Sequence, residues 1–339
     1  MTHPPKVTLA FLSWNRFHYL KATLLSAREC IEYPNIQWIV SDNNSNEPGL
    51  REWLEEQDWI DHKIFKTQSH AAAMNEIIDM TQGDYVMIWP EDVQFTLRGE
   101  WMQDMVAFLE AREDIGSLCM DYARSCTLKD IRRPSLLKHH ARFIDEIWRY
   151  RHRFRKSKVL VSPGGMKYMT LGWTKSGVTG SGIPSLTRTS LWRELGPWRT
   201  TGTRSSVGLI DSSLGAEDDM VARFYATKKP IQAAMPWVPV CADIVTDPLG
   251  CKAKVRGTFR YGVYMPAQQG EYYYRIRDWE EFKDYQGEYP MNFTEGVQTL
   301  GYRMPVDENG DRIKGSFNAS VKYDMEKGEY IPYPLIDEA

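Results

Sequence analysis

Several features that would place this 339-residue chain in a familiar class are missing. Its five cysteines form no CxxC pair and are odd in number, which indicates free thiols in a reducing compartment rather than a disulfide framework. No segment is apolar over the length that spans a membrane, and the amino terminus lacks a secretory cleavage site. We therefore expect a cytoplasmic protein. The net charge of −3 gives no reason to expect nucleic acid as a partner.

What the chain does contain is a regular alternation of strand and helix patterns. Strand patterns cover 6–12, 36–42, 63–67 and 85–89, and helical patterns cover 17–31, 49–57 and 70–82. Alternation of this kind predicts a sheet with helices on both faces. Another helix is predicted at 100–114, and patterned segments return at 181–198 and 217–240. The expected fold class is α/β, with a Rossmann-like, mixed but mainly parallel sheet.

Polar residues follow the predicted strands at the edge where α/β sheets bind ligands. Residues 13–16 stand at the end of the first strand and residues 41–45 at the end of the second, and Glu91 and Asp92 follow the apolar run YVMIWP. Because proline has no N–H, Pro90 should end this last strand. A cleft lined in this way can bind a nucleotide and a cation. A turn-forming role for Asp42 and a solvated turn at Glu91 and Asp92 stay open as alternatives.

Three stretches of the first half resemble the amino-terminal half of the family 2 glycosyltransferases, which have the GT-A fold. They are VTLAFLSWNRFHYLKATLLSA, IQWIVSDNNSN and HAAAMNEIIDMTQGDYVMIWPED. Two later stretches, TGSGIPSLTRTSLWRELGPW and LGAEDDMVARFYATKKPI, resemble the same family's acceptor-side and catalytic-base blocks. The resemblance implies an inverting enzyme that moves a sugar from a nucleotide-sugar donor to a hydroxyl of a glycan or glycolipid-type acceptor.

The resemblance also implies roles for individual residues. In this family, carboxylates at the strand end hold a divalent cation, Mn²⁺ or Mg²⁺, on the donor diphosphate. Asp92 is then the first expected ligand, Glu91 the second, and Asp243 a further ligand by its position only. Pro90 stands where the family commonly has an acid. The donor-binding residues that the resemblance implies are Ser13, Trp14, Asn15, Arg16, Asp42, Asn44, Gln68, His70 and Glu91.

The catalytic acids are expected at the start of the helix in the segment 217–240. By the family's motif, Asp218 matches the general base that takes the proton of the acceptor hydroxyl. Glu217 would support it or bind the acceptor. Acids in the first turn of a helix also complement the helix dipole, so capping is the alternative for this pair.

The resemblance and the composition together divide the chain into two main parts. The resemblance implies a GT-A domain at 1–245, with a nucleotide-binding half at 1–95 and an acceptor half at 96–245, and composition marks 246–339 as a Gly-, Tyr- and Pro-rich extension. The segment 124–158 is strongly basic. It is either a solvated helix face or a patch for an anionic acceptor or a membrane that carries a lipid-linked acceptor. The second interpretation would place the protein at the periphery of a membrane.

Other classes compete with this interpretation. A nicotinamide-dependent dehydrogenase needs GxGxxG after the first strand, and a sugar-nucleotide nucleotidyltransferase needs a Gly-x-Gly-x-Arg loop there. The stretch FLSWNRF contains no glycine, which disfavours both. A catalytically weak or inactive relative that binds nucleotides or glycans stays open, because Pro90 weakens the acidic motif.

Overall fold

The computed structural model of the chain describes residues 3–14, 17–120, 158–170, 184–200, 220, 223–224, 227, 229–238, 240–243, 276–284, 321–324 and 329–332. The strands are β1 Val7–Ser13, β2 Ile36–Asp42, β3 His62–Phe65, β4 Tyr85–Pro90, β5 Val93–Phe95, β6 Leu97–Arg98, β7 Ile115–Cys119, β8 Val159–Val161, β9 Lys167–Thr170, β10 Ser185–Arg188, β11 Gln232–Pro236, β12 Cys241–Asp243, β13 Arg277–Asp278, β14 Val321–Asp324 and β15 Glu329–Pro332. The helices are α1 Phe17–Cys30, α2 Leu50–Glu55, α3 His70–Met80, α4 Trp101–Glu110 and α5 Thr189–Leu195, and a 3-10 turn covers Trp279–Glu281.

The main sheet has the strand order β3-β2-β1-β4-β10-β7-β11-β9-β8. The first four strands in this order are parallel, β10 runs antiparallel to both of its neighbours, and β11 is parallel to β7. The predicted mixed and mainly parallel α/β sheet is therefore confirmed. Because β1 lies between β2 and β4, the carboxyl ends of all three strands meet at one edge.

The end of β4 differs from the prediction by one residue. Pro90 was expected to stop the strand before itself, but it is the last residue of β4 and pairs with Leu12 of β1. The fixed φ of proline is compatible with an extended backbone, and its missing N–H is tolerated where the ladder ends. The turn that carries Glu91 and Asp92 therefore begins directly after a residue that is still in register with β1.

Two apolar clusters cover the two faces of the sheet. Along β4, Tyr85, Met87 and Trp89 belong to one cluster, whereas Val86 and Ile88 belong to the other. Successive side chains of a strand point to opposite faces, so each cluster fills one face. The first cluster includes side chains of α1, α2 and α4, and the second includes side chains of α3 and α5. Helices thus pack on both faces, as the strand–helix alternation predicted.

Some strands that the periodicity did not predict complete the domain. The hairpin of β8 and β9 forms the far edge of the main sheet, and the carboxylate of Asp104 on α4 holds it by accepting bonds from the Ser162 hydroxyl at 2.6 Å and the Tyr168 hydroxyl at 2.7 Å. Strand β13, from the extension after residue 245, pairs with β6, and Trp279 and Phe282 join the first apolar cluster. Part of that extension is therefore packed onto the sheet domain.

Two further observations concern expectations from composition. Within the described ranges, no helix is long and apolar enough to cross a bilayer. Cys30, Cys119 and Cys241 are buried. The basic segment 124–158 lies outside the described residues except for Lys158, which is exposed.

Candidate functional site

A cavity of about 220 Å³ lies where the carboxyl ends of β1 and β2 meet the start of α3. Its lining includes Ser13, Trp14, Gln68, His70 and Glu91, all of which were predicted to bind the donor. These residues come from the ends of β1 and β4, the loop before α3 and the first residue of α3, and the fold brings them together. The pocket therefore has the location at which parallel sheets bind ligands, outside the carboxyl ends of the strands.

Asn43 joins three of these segments and was not predicted as a site residue. Its backbone N–H donates to the carbonyl oxygen of Ser13 at 2.8 Å, and its side-chain Oδ1 accepts from the N–H of Gln68 at 2.7 Å. It also lines the cavity. The sequence placed Asn43 in a polar turn, but its bonding partners are 30 and 25 residues away along the chain, so that local pattern gave no sign of them.

Asp42 is buried and organises the turn after β2. It is 1% exposed, its Oδ1 accepts from the N–H of Ser45 at 2.6 Å, and its Oδ2 accepts from the Ser45 hydroxyl at 2.6 Å. Burial raises the pKa of Asp42, and the two bonds from Ser45 oppose that shift. Asn44, exposed in the middle of the turn, has φ 53°, a left-handed conformation that asparagine tolerates. The turn-forming alternative for Asp42 thus has direct support, and its contact with a donor stays a prediction.

One buried polar atom of the cavity lining, Nε2 of His70, lacks a hydrogen-bond partner among the described residues. The hydroxyl of Ser13, a residue that is 4% exposed, lies on the same wall near the Asp42 carboxylate and lowers the pKa of that group. Burial lowers the pKa of His70, so the neutral imidazole is the favoured form. A buried polar atom without a partner costs about 1–3 kcal/mol. A polar ligand in the cavity would supply the partner that His70 Nε2 lacks.

The start of α3 adds a favourable field for an anion. The helix begins at His70, and the hydroxyl of its N-cap residue Ser69 accepts from the N–H of Ala72 at 3.2 Å. The N-terminus of a helix carries a partial positive charge. Gln68 is held in the preceding loop, where its Nε2 donates to Glu76 at 2.7 Å. The loop is therefore anchored to the helix that it precedes.

The two carboxylates Glu91 and Asp92 lie in the turn between β4 and β5, and both are half-buried. The turn is braced from inside, because the indole N–H of Trp89 donates to the carbonyl oxygen of Val93 at 2.7 Å. Strand β12 pairs with β5 so that Asp243 is opposite Val93. The backbone of Asp243 thus stands next to the residue that follows Asp92, and its role as a further metal ligand stays a prediction.

The acids at this turn suit a cation that is shared with a substrate. In the part of the chain that the structure describes, no group of three His, Cys, Asp or Glu residues is arranged to hold a metal ion. Mg²⁺ and similar hard ions are often held by one or two carboxylates, with substrate phosphates completing the shell. The oxygen donors of Glu91 and Asp92 fit that mode of binding, and Glu91 also lines the cavity.

Four predicted site residues, Asn15, Arg16, Glu217 and Asp218, lie outside the described residues. The chain is described again at Met220, which is helical, 1% exposed and part of the apolar cluster that contains α3 and α5. Asp218 is therefore two residues along the chain from a position that packs on the same face of the sheet as α3, the helix that borders the cavity.

Residues 10–171 match the model of glycosyl transferase family 2. No curated protein matches significantly. The mannosyltransferase PcManGT from Pyrobaculum calidifontis, in complex with GDP-Man and Mn²⁺, is 18% identical with a TM-score of 0.46, over 76% of this chain and 61% of that chain. TarS of S. aureus is 13% identical with a TM-score of 0.41, over 68% of this chain and 35% of that chain. The chain thus spans less than two thirds of either protein's length.

Proposed function

We propose that this chain, whose residues 10–171 match the model of glycosyl transferase family 2, transfers a sugar from a nucleotide-sugar donor to a hydroxyl of a glycan or lipid-linked acceptor. The observation that carries the proposal is the cavity of about 220 Å³ at the strand ends, with the buried Ser13 hydroxyl and His70 Nε2 on its wall. A polar ligand would give His70 Nε2 the partner that it lacks among the described residues, and the family model covers the segments that line the cavity.

The nucleoside part of the donor is the part that the cavity fits. A volume of about 220 Å³ is below the roughly 300–1,000 Å³ of pockets that enclose a whole drug-sized ligand. Trp14, 40% exposed and part of the lining, offers an indole face on which a base can stack. The Ser13 hydroxyl and the neutral His70 ring would bind polar groups of the nucleoside. The diphosphate would then extend toward Glu91.

A divalent cation, Mn²⁺ or Mg²⁺, is part of the proposal. Asp92 and Glu91 would hold it, with Asp243 as a further ligand. When bound, the cation would stabilise the negative charge on the departing nucleoside diphosphate. The carboxylates would also orient the diphosphate relative to the cavity, so that the nucleoside and the anomeric carbon take fixed positions.

Transfer would take place as a single inverting displacement. The acceptor oxygen forms a bond to the anomeric carbon, while the bond from that carbon to the diphosphate oxygen breaks and its electron pair leaves with the diphosphate. Asp218 accepts the hydroxyl proton, which makes the acceptor a competent nucleophile. Glu217 supports Asp218 or binds the acceptor. We also propose a cytoplasmic location, with the basic segment 124–158 in contact with an anionic or membrane-borne acceptor.

Nucleotide titrations test the donor site and the cation together. UDP and GDP should be titrated calorimetrically into the wild type, Asp92→Ala and the control Asp79→Ala, with and without Mn²⁺. Asp79 is an exposed acid on α3 that does not line the cavity. We expect Mn²⁺ to strengthen nucleotide binding in the wild type and in the control but not in Asp92→Ala, and a smaller loss in Glu91→Ala. Binding that is equal with and without Mn²⁺ in the wild type would exclude the cation, and no binding at all would exclude the donor site.

A further inference from the structure

Helix α3 contributes residues to the cavity wall, and Asn75, two residues after the last of them, forms hydrogen bonds to a distant segment of the chain. His70 and Ala73 line the cavity. The side-chain Nδ2 of Asn75 donates to the carbonyl oxygen of Trp198 at 2.9 Å, and its Oδ1 accepts from the N–H of Trp198 at 2.7 Å. One amide group thus satisfies both backbone groups of a residue that lies 123 positions away. Two bonds in opposite directions fix the position and the tilt of that backbone relative to α3.

The same segment is held from its other side. The guanidinium Nη1 of Arg223 donates to the carbonyl oxygen of Leu195, the last residue of α5, at 3.0 Å. Arg223 is helical, as are Met220 and Phe224. The short connection from Leu195 to Trp198 therefore lies between α3 and the residues that follow the predicted catalytic acids, and it is hydrogen-bonded to both.

Apolar packing makes this connection stiff. Met74 and Trp198, each 2% exposed, and Met220, 1% exposed, belong to one buried cluster. The ring of Trp198 lies 5.3 Å from that of Trp192 of α5. Because protein cores are close-packed, a displacement of one member shifts its neighbours. A movement of Trp198 relative to α3 would therefore reach Met220, two residues from Asp218.

From these contacts we propose that Asn75 is a positioning residue, which sets the location of Met220 and Arg223 relative to the donor cavity and thereby that of Asp218, two residues before Met220 in the chain. The inference rests on the proposed function for the role of Asp218. Asn75 does not line the cavity, so donor binding does not depend on it directly. A general base must stand within hydrogen-bond reach of the proton it removes, and a displacement of about 1 Å can lower a rate on the order of a hundredfold.

Two substitutions and one matched control test the role. Asn75→Leu removes both bonds, whereas Asn75→Asp keeps the acceptor for the Trp198 N–H and loses the donor. Asn35→Ala is the control, because Asn35 is also half-buried and its Nδ2 donates to the distant backbone carbonyl of Pro4 at 2.9 Å. Unlike Asn75, Asn35 lies just before β2, at the end of the strands opposite the cavity. The measurements on the full chain are amide hydrogen exchange of segment 220–227, titration with UDP and GDP plus Mn²⁺, and sugar transfer to any octyl glycoside that the wild type uses.

In both Asn75 variants we expect a nucleotide affinity within about twofold of the wild type. Amide hydrogen exchange in 220–227 should be at least about tenfold faster, and the kcat of sugar transfer should fall about 10- to 100-fold. Both effects should be larger in Asn75→Leu. Asn35→Ala should change none of these. Unchanged exchange in 220–227, or an equal change in the control, would overturn the proposal, as would a loss confined to nucleotide affinity. If the wild type binds neither nucleotide, the proposed function fails, whereas the exchange data still decide whether Asn75 holds the helix.

Discussion

Two substitutions of Asp42 distinguish its structural role in the turn after β2 from the role of its negative charge. Asp42→Ala removes the acceptors of both 2.6 Å hydrogen bonds from Ser45. A buried donor left without a partner costs up to about 1–3 kcal/mol. Because the substitution also removes a buried charge, part of that cost is offset. We therefore expect a net loss of about 1–3 kcal/mol in the free energy of unfolding. Nucleotide binding should weaken as well, because Ser41 and Asn43 on either side line the cavity.

Asp42→Asn keeps the turn but removes the charge. The amide oxygen still accepts from the Ser45 N–H, and the amide N–H can donate to the Ser45 hydroxyl. Burial raises the pKa of Asp42 above its ordinary 3.8, so the folded chain holds this proton more tightly than the unfolded chain does. The stability from this group is then present at low pH and falls as the pH rises through the folded-state pKa. At neutral pH the asparagine variant should be at least as stable as the wild type.

We expect the two variants to differ in how stability and nucleotide affinity change together. Asp42 stands opposite Ser13 in register. If its carboxylate accepts a hydrogen bond from the nucleotide-sugar, the substitution Asp42→Asn removes one hydrogen bond to a charged group. Such a bond contributes about 1.5–3 kcal/mol, which corresponds to roughly a 10- to 100-fold weaker Kd. Urea denaturation and calorimetric titration with UDP and GDP measure the two quantities. Wild-type affinity in Asp42→Asn would refute the contact and leave Asp42 as a turn former only.

Three further substitutions probe the fold and the mechanism. Burial lowers the pKa of His70 below its ordinary 6.5, so the unfolded chain binds this proton more tightly and the free energy of unfolding should fall as the pH drops below about 6.5. The substitution His70→Gln should reduce this dependence in urea denaturation across about pH 7 to 5. Parallel stability curves for the variant and the wild type would contradict this. Asp218→Asn should lower sugar transfer about 10²- to 10⁴-fold with unchanged donor affinity in titrations, and wild-type transfer would make Asp218 a helix cap. In Gly83→Ala the new Cβ would lie 2.6 Å from the backbone N of Thr8 and 2.6 Å from the backbone O of Tyr85, so denaturation should show a loss of about 1–3 kcal/mol, and no loss would mean that the backbone moves aside.

The sequence alone was sufficient to predict the order of the elements in the first half and the fold class. The helix predicted at 70–82 is α3, His70–Met80, and the strand predicted at 36–42 is β2. These predictions succeeded because hydrophobic periodicity reports the burial of each local segment. The prediction of polar strand ends at one edge also followed from local pattern, since parallel strands joined by helices all end on the same side.

The tertiary structure alone decided which distant residues hold the site together. Asn43 bonds to Ser13 and Gln68, and Asn75 bonds to Trp198, 123 residues away. Residues of the extension pack on the sheet through Trp279. An asparagine has the same local propensity whether its amide meets water or a distant backbone, and its neighbours in sequence do not reveal which. Those contacts exist only once the strand order has brought the segments within hydrogen-bond distance, because a hydrogen bond acts over about 3 Å and a sequence carries no distances.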